Sequence, residues 1–184
     1  MNPLHLDEEL ETERLIIKKH SLDEAEMMYK AIDSDRGRLA AFMPWPEKIN
    51  SVEDELEFLR DCQEWWKVCQ QFDYSIYAKE KLVFLGNVGV HTIRWGHDCC
   101  EIGYWLLAGH EGQGYMREAV TEVENHLFAK GFNRVEIRCD PNNTRSTKVP
   151  AALGYSYEGL LREQTKHGDY FRDTLVYSKI KKDR

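Results

Sequence analysis

The sequence predicts a mixed α/β fold: a mostly antiparallel, twisted sheet of about six to seven strands with helices on both faces. Two observations support this class. Residues 72–107 contain three apolar stretches separated by short turns, which is typical of an antiparallel meander. A helical pattern follows, and then a strand at residues 135–139. The strand–helix–strand order predicts a right-handed crossover and one parallel strand pair.

The loop between the third meander strand and the next helix is rich in glycine. It contains Gly109, Gly112 and Gly114, and glycine lets a backbone approach a ligand closely. The helix after it carries on one face Met116, Ala119, Val120, Val123 and Leu127. The first N–H groups of a helix have no partner within the helix, and the helix dipole is positive there. The sequence therefore predicts an anion site at this loop, suited to a phosphate or pyrophosphate.

The first half of the chain contains signals for one strand and two helices. Residues 14–18 form an apolar stretch that predicts the first strand. Ser21 and Ser51 each begin a capping signal that predicts the start of a helix. Two closely spaced prolines predict a loop at residues 43–46, because proline is excluded from helix interiors and central strands.

Turn signals divide the second half of the chain. Residues 79–81 are predicted to form a hairpin turn between two strands of the meander. Gly131 is predicted to end the central helix as a C-cap. A short helix is predicted from about residue 144 to residue 153, and Pro150 fits it only if the regular helix begins close to that proline.

Two closing strands complete the predicted sheet. They span residues 155–161 and 174–180, and they are joined through residues 167–169. No internal repeat or linker is evident in the 184 residues, so the chain is predicted to form one domain over residues 1–184, with residues 1–13 as a polar lead-in.

Charge and cysteine content narrow the function classes. The net charge of −7 argues against nucleic-acid binding through a general basic surface, and suits a small molecule, an amine or a basic peptide as partner. Five cysteines without a repeated spacing predict no disulfide framework and favour a reducing, cytoplasmic location. The sequence shows neither a secretory signal nor an apolar run of membrane-spanning length, so no membrane partner is expected.

Several motifs occur together in a fixed order. They are residues 12–15 (TERL), 44–46 (PWP), 101–106 (EIGYWL), 110–116 (HEGQGYM), 143–146 (NTRS), 153–155 (LGY) and 158–159 (EG). In this combination the chain resembles the GNAT acetyltransferases, and specifically their RimJ/RimL branch. The resemblance covers nearly the whole chain and implies a single GNAT domain that uses acetyl-CoA as cosubstrate and needs no metal.

The resemblance also implies where acetyl-CoA binds. The pyrophosphate is expected on the main-chain amides of residues 112–117, and the pantetheine arm along the strand end at residues 106–108. Asn143 is expected to bond the arm, and Ser146 to lie near the thioester sulfur. The full expected set is Leu106, Leu107, Ala108, Gly112, Gln113, Gly114, Tyr115, Met116, Arg117, Asn143 and Ser146.

One loop position departs from the family pattern. Glu111 stands where the pattern has glutamine or arginine. A carboxylate beside a pyrophosphate is unfavourable unless it points away or pairs with a base such as Arg117.

Acetyl transfer to an amine needs a base, an oxyanion donor and an acid. The candidate bases are Glu101 and Glu163. An acidic residue is often proposed after the last helix in this branch, but Thr165 falls near that place, so a water is a third candidate. Taken alone, Glu101 on a strand fits an ordinary cross-strand partner better than a base.

The candidate acids are hydroxyl groups. Ser146 is the first candidate and Tyr155 the second, although Ser146 can equally be a helix-capping residue. A backbone N–H near Leu106 or Leu107 can act as oxyanion donor if the strand is splayed there. Cys139 alternates with apolar residues and is therefore expected in the core. The resemblance separately implies direct transfer in a ternary complex, without an acetyl-cysteine.

Three other features of the sequence allow different interpretations. A group of histidines and cysteines could suggest a metal site, but its spacing matches no standard zinc pattern; it consists of His91, His97, Cys99 and Cys100. Trp45 fits either an acceptor pocket or a hydrophobic loop packed on the core. The glycine loop fits neither a P-loop nor a dinucleotide fingerprint.

The function predicted is acetyl-CoA-dependent N-acetylation of a primary amine, with the N-terminal amine of a ribosomal protein as one candidate acceptor. A small amine, such as a polyamine, an amino acid or an antibiotic, is the second candidate acceptor. A non-catalytic acyl-CoA-binding sensor is the alternative from another class. A homodimer is expected only from the resemblance.

Overall fold

The structure of the protein is a computed structural model, which describes residues 2–183 of the chain. The strands are β1 (Glu9–Glu11), β2 (Leu15–Lys19), β3 (Phe72–Ala78), β4 (Val83–Arg94), β5 (Cys99–Leu106), β6 (Arg134–Cys139), β7 (Ser156–His167) and β8 (Tyr170–Ile180). The α-helices are α1 (Ala25–Ala40), α2 (Val52–Lys67), α3 (Tyr115–Ala129) and α4 (Thr144–Ala152). The strands form one sheet in the order β1-β2-β3-β4-β5-β6-β8-β7.

The sheet confirms the predicted fold class. β5 and β6 are parallel, and the other neighbouring strands are antiparallel. Phe72 and Tyr74 of β3 belong to the large core cluster that includes the apolar face of α3. Tyr77 of the same strand packs on a second cluster with Met28 of α1 and Leu59 of α2. Successive side chains of a strand point to opposite faces, so helices cover both faces of the sheet.

The sheet has one strand more than predicted. β1 lies within the polar lead-in and pairs with β2 through Leu10 and Ile17. Leu6 and Leu10 are buried in the core cluster. A strand of three residues with a single apolar side chain is too short to show an alternating pattern, so it cannot be predicted from the sequence pattern.

Both predicted capping signals are formed. Ser21 makes a reciprocal capping box with Glu24, at a short 3-10 turn that leads into α1. The Ser51 side chain accepts a hydrogen bond from the Asp54 N–H at 3.1 Å and caps α2. These bonds satisfy N–H groups that the first turn of a helix leaves without a partner.

β5 and β6 separate soon after they begin. Their pairing covers Cys99 with Arg134, Cys100 with Val135 and Glu101 with Glu136, and no further pair follows among the described residues. Both strands continue past this point, β5 to Leu106 and β6 to Cys139. The sheet is therefore splayed between them, and the edges that face the gap carry backbone groups without strand partners.

α4 differs from the sequence-based expectation at its proline. Pro150 was expected near the start of the regular helix, but it lies inside α4. Proline has no N–H, so the carbonyl of Ser146, one turn earlier, receives no helical hydrogen bond from residue 150. The Tyr104 hydroxyl of β5 donates to that carbonyl instead, at 3.0 Å.

The closing hairpin is longer than predicted. β7 and β8 extend to a tight turn, and their register shifts at two places, one of them between Leu161 and Thr165. Glu163 lies in this irregular stretch with a φ of 53°. Across residues 2–183, no helix is both long and apolar enough to cross a membrane.

Candidate active site

An open cleft of about 820 Å³ follows β5 where the sheet is splayed. The glycine loop and the start of α3 line one end of the cleft, and the beginning of β5 lines the other. The described lining includes Arg38, Phe42, His91, Glu101, Tyr104, Leu106, Glu111, Gly112, Gly114, Tyr115, Met116, Arg117, Arg138, Cys139, Asn143, Arg145 and Ser146.

The glycine loop presents positive charge to the cleft. Gly112 and Gly114 have φ values of 74° and 83°, a left-handed conformation that favours glycine. A Cβ atom at Gly114 would lie 3.4 Å from Arg14 Nη2 and 3.5 Å from Arg117 Nη2. Arg14 is held in place by donating to the Gln113 carbonyl at 3.0 Å. Arg14 Nη2 is itself paired with Glu118 Oε2 at 2.6 Å, so the groups here that suit an anion are Arg117 and the N-terminal amides of α3.

Glu111 is neutralised by two arginines, although Arg117 is not one of them. Its Oε1 lies 2.6 Å from Arg38 Nη1 of α1, and its Oε2 lies 3.0 Å from Arg145 Nη1 of α4. The predicted pairing with a base is present, but the bases come from distant parts of the chain. The carboxylate is tied to the walls of the cleft by these contacts.

Side chains of α1 form hydrogen bonds with the backbone groups at the end of β5. The Leu106 carbonyl accepts a hydrogen bond from Arg38 Nη2 at 2.5 Å. The Ala108 N–H donates to Asp35 Oδ2 at 2.9 Å. Asp35 and Arg38 also pair with each other. These are the strand-end groups that the resemblance assigns to the pantetheine arm.

The two residues proposed to carry the oxyanion donor face different ways. The Leu107 N–H donates to the Leu85 carbonyl at 2.8 Å, so it points toward β4. Backbone groups of successive strand residues point to opposite sides, so those of Leu106 point into the splay. Leu106 is therefore the better placed of the two.

Ser146 lies in the first turn of α4, against β5. Its N–H donates to Asn143 Oδ1 at 3.2 Å, so Asn143 caps the helix. Its Oγ is 3.4 Å from the Tyr104 hydroxyl. Both Asn143 and Ser146 line the cleft, so capping and ligand contact are compatible at this place.

Glu101 lies at the other end of the cleft with His91 and Arg138. His91 of β4 is its partner in strand register, and Arg138 Nε lies 3.5 Å from Glu101 Oε2. Burial raises the pKa of Glu101, and His91 and Arg138 partly oppose this rise. A carboxylate with a raised pKa in a cleft suits a general base.

A family model described as an acetyltransferase (GNAT) domain matches residues 14–156 of the chain. The chain belongs to the GNAT acetyltransferase family. Its relatives are N-acetyltransferases, and the RimJ/RimL-like branch predicted from the motifs is confirmed.

Three comparisons show how close the GNAT relatives are. The chain is 29% identical to the uncharacterized N-acetyltransferase p20 of Bacillus licheniformis, over 96% of this chain and 98% of that one. It is 25% identical to the ribosomal-protein-serine acetyltransferase of Escherichia coli strain K12, over 83% and 85%. The microcin C7 self immunity acetyltransferase MccE superposes with a TM-score of 0.88 at 23% identity, covering 92% and 93%.

The GNAT cleft brings together most of the predicted cosubstrate residues. It is lined by Leu106, Gly112, Gly114, Tyr115, Met116, Arg117, Asn143 and Ser146. Leu107, Ala108 and Gln113 are neighbours in the chain and do not themselves line the cleft.

Two of the four predicted catalytic residues lie outside the cleft lining. Tyr155 is 6% exposed and belongs to the core cluster. Glu163 lines a neighbouring depression with Asp140 and Arg172, and its N–H donates to Asp173. The structure thus brings Glu101 and Ser146 into one cleft and leaves Tyr155 and Glu163 apart from it.

Several cleft residues were missed as site residues. The sequence suggests His91 only as a metal ligand, but its Nε2 would lie 2.6 Å from a Cβ at Gly103, so its ring packs closely over β5. Its place opposite Glu101 in the meander was the signal available. Arg38 was missed because its partner in the glycine loop, Glu111, is 73 residues away, and its pairing with Asp35 is an ordinary contact within a helix. In the described part of the chain, no group of three or more His, Cys, Asp or Glu residues could hold a metal.

Trp45 packs against β5. Its ring lies 5.6 Å from that of Trp105 and does not line the cleft, whereas Phe42 and Met43 beside it do. The proline loop is therefore packed on β5 through Trp45. Cys139 is buried at the cleft wall, and burial raises the pKa of its thiol to about 11.

Proposed function

We propose that this N-acetyltransferase moves the acetyl group of acetyl-CoA directly to a primary amine in a ternary complex. The observation that carries the proposal is the continuous cleft along β5. The anion-binding end of the cleft contains the glycine loop, and its other end contains Glu101 and Ser146. The structure of MccE was obtained in complex with acetyl-CoA and AMP, which supports acetyl-CoA as cosubstrate here.

The proposed position of acetyl-CoA follows the length of the cleft. The pyrophosphate binds the amides of residues 112–117 beside Arg14 and Arg117. The pantetheine arm pairs with the backbone at residues 106–108, as an added strand would. The thioester then reaches the splay next to Ser146.

The proposed chemistry uses two side chains and one backbone group. Glu101 accepts a proton from the amine, whose nitrogen bonds to the acetyl carbon. The Leu106 N–H stabilises the oxyanion that forms. The carbon–sulfur bond then breaks, and the thiolate takes a proton from Ser146. Ser146 then regains a proton from solvent and Glu101 releases its proton to solvent, so both side chains are restored and the net products are an amide and free CoA.

The acceptor we propose is the N-terminal amine of a ribosomal protein. The similarity to a ribosomal-protein-serine acetyltransferase supports this choice, and the acidic net charge suits a cationic partner. All five cysteines are free and buried, which fits the reducing cytoplasm proposed as its location. A small amine is the second candidate, because MccE superposes so well and is named for immunity to a microcin.

The test is thiol release from acetyl-CoA with matched acceptors. One acceptor is a peptide with a free N-terminal serine, and its control is the same peptide with that amine blocked. A panel of small amines forms the third arm. We expect release with the free peptide and none with the blocked peptide.

Other outcomes redirect the proposal. Release with small amines alone overturns the ribosomal-protein acceptor and supports metabolite or antibiotic modification. No release with any acceptor, together with tight acetyl-CoA binding in a direct titration, supports a non-catalytic sensor.

A further inference from the structure

The hydrogen bond between Tyr104 and α4 is made possible by the proline inside that helix. In a regular helix the N–H of residue 150 would donate to the Ser146 carbonyl. Pro150 has no N–H, so this carbonyl accepts from outside the helix. The donor is the Tyr104 hydroxyl at 3.0 Å, which ties β5 to the first turn of α4.

Tyr104 holds the two polar groups of Ser146 unequally. Burial raises the pKa of Tyr104, so its hydroxyl keeps its proton at neutral pH and can donate it. That single proton goes to the Ser146 carbonyl. Toward Ser146 Oγ, at 3.4 Å, the same oxygen can only accept, and a bond of this length is weak. The backbone of Ser146 is therefore held more firmly than its hydroxyl, which can donate weakly to the Tyr104 oxygen or to the Cys139 thiol.

We propose that Tyr104 is a positioning residue, which fixes the first turn of α4 on β5 so that the Ser146 hydroxyl is aimed at the leaving sulfur. The proposal rests on the proposed function, in which Ser146 protonates the departing thiolate. Tyr104 acts only through Ser146. Pro150 is the second part of the arrangement, because it leaves the carbonyl available.

The test is a double-mutant cycle with Tyr104→Phe, Ser146→Ala and the two combined. Tyr104→Phe keeps the ring and removes the hydroxyl. We expect kcat for thiol release to fall on the order of tenfold or more, since a small displacement of a catalytic group has effects of this size. The dissociation constant of acetyl-CoA is expected to change less than about twofold, because the pyrophosphate and pantetheine contacts are elsewhere.

The decisive readout is the double variant. If Tyr104 works through Ser146, Tyr104→Phe causes no further loss of kcat in the Ser146→Ala background. Tyr177→Phe is the matched control, because Tyr177 is a partly buried sheet tyrosine outside the cleft lining, and kcat is expected to stay near the wild-type value.

The outcomes separate this inference from the proposed function. If Tyr104→Phe lowers kcat by the same factor in the wild type and in the Ser146→Ala variant, the positioning role is overturned and the effect is a general structural one. If the wild type is active and Tyr104→Phe has the same kcat, the positioning role is overturned and the proposed function stands. Absence of wild-type turnover overturns the proposed function, and this inference with it.

Discussion

At the scale of single residues, Glu55 of α2 combines burial with a missing partner. Its side chain is 1% exposed, and its Oε1 has no hydrogen-bond partner among the described residues. Burial raises the pKa of Glu55 to about 7 from an ordinary value of 4.5. The folded protein therefore favours the neutral acid. The contribution of Glu55 to stability is full below the unfolded pKa and is lost as the pH rises through 7.

The raised pKa of Glu55 predicts a pH-dependent gain in stability for Glu55→Gln. The variant removes the buried charge, so at pH 8 its free energy of unfolding is expected to exceed the wild-type value by up to about 3 kcal/mol. At pH 5 the two are expected to differ little. Urea unfolding at both pH values measures this. Glu57→Gln, on the exposed side of α2, is the control, and an equal gain at pH 5 and pH 8 would contradict the explanation.

A second residue-scale prediction concerns Glu101 as the base. A base must be deprotonated, so kcat/KM is expected to fall as the pH drops through the raised pKa of Glu101. Glu101→Gln is expected to lower kcat/KM by about 10²-fold or more and to abolish this acidic limb. The measurement is the pH profile of both enzymes. Glu163→Gln is the comparison, and loss of the limb in that variant instead would assign the role to Glu163.

At the scale of elements, the end of α1 occupies backbone groups that the pantetheine arm is proposed to use. Asp35 accepts from the Ala108 N–H, and Arg38 donates to the Leu106 carbonyl. Acetyl-CoA binding along this route has to exchange these contacts. The exchange lowers the apparent affinity by the cost of breaking them.

The corresponding prediction is made for Asp35→Ala. This change frees the Ala108 N–H in advance, so the affinity for acetyl-CoA is expected to rise several-fold, by about 1 kcal/mol for one hydrogen bond. A titration measures the dissociation constant. Asp33→Ala on the same helix is the control, since Asp33 pairs only with Arg36 in the described contacts. An unchanged affinity for Asp35→Ala would show that the arm does not use this N–H.

Local signals account for what the sequence predicted well. Ser21 and Ser51 mark helix starts because capping depends on residues a few positions apart. The glycine loop was found for the same reason. Arg38 and Tyr104 were missed because their partners, Glu111 and Ser146, are distant in sequence. The position of Pro150 inside α4 was not predicted, because it depends on a distant residue: the Tyr104 hydroxyl of β5 bonds the Ser146 carbonyl that the proline leaves without a helical partner.

At the scale of the whole molecule, ligand binding is expected to stabilise the fold. A ligand that binds only the folded state at 100 times its dissociation constant adds about 2.7 kcal/mol. For a chain of this size, Tm is then expected to rise by about 5–10 °C. A thermal melt with and without acetyl-CoA measures this. AMP, which lacks the pantetheine arm, is expected to give a smaller shift, and an equal shift would contradict binding along β5.

The short pairing of β5 with β6 has a mechanical consequence. β5 and β6 pair with each other at only three positions. The sheet therefore consists of two parts, β1 to β5 and β6 to β8, that meet at a narrow seam. Hinge-like opening at this seam breaks fewer strand pairs than opening the sheet anywhere else between β2 and β7. A cosubstrate bound in the gap supplies hydrogen bonds that the sheet lacks there, and so it would act as a staple between the two parts. Amide hydrogens on both sides of the seam should then exchange with solvent more slowly when the site is filled.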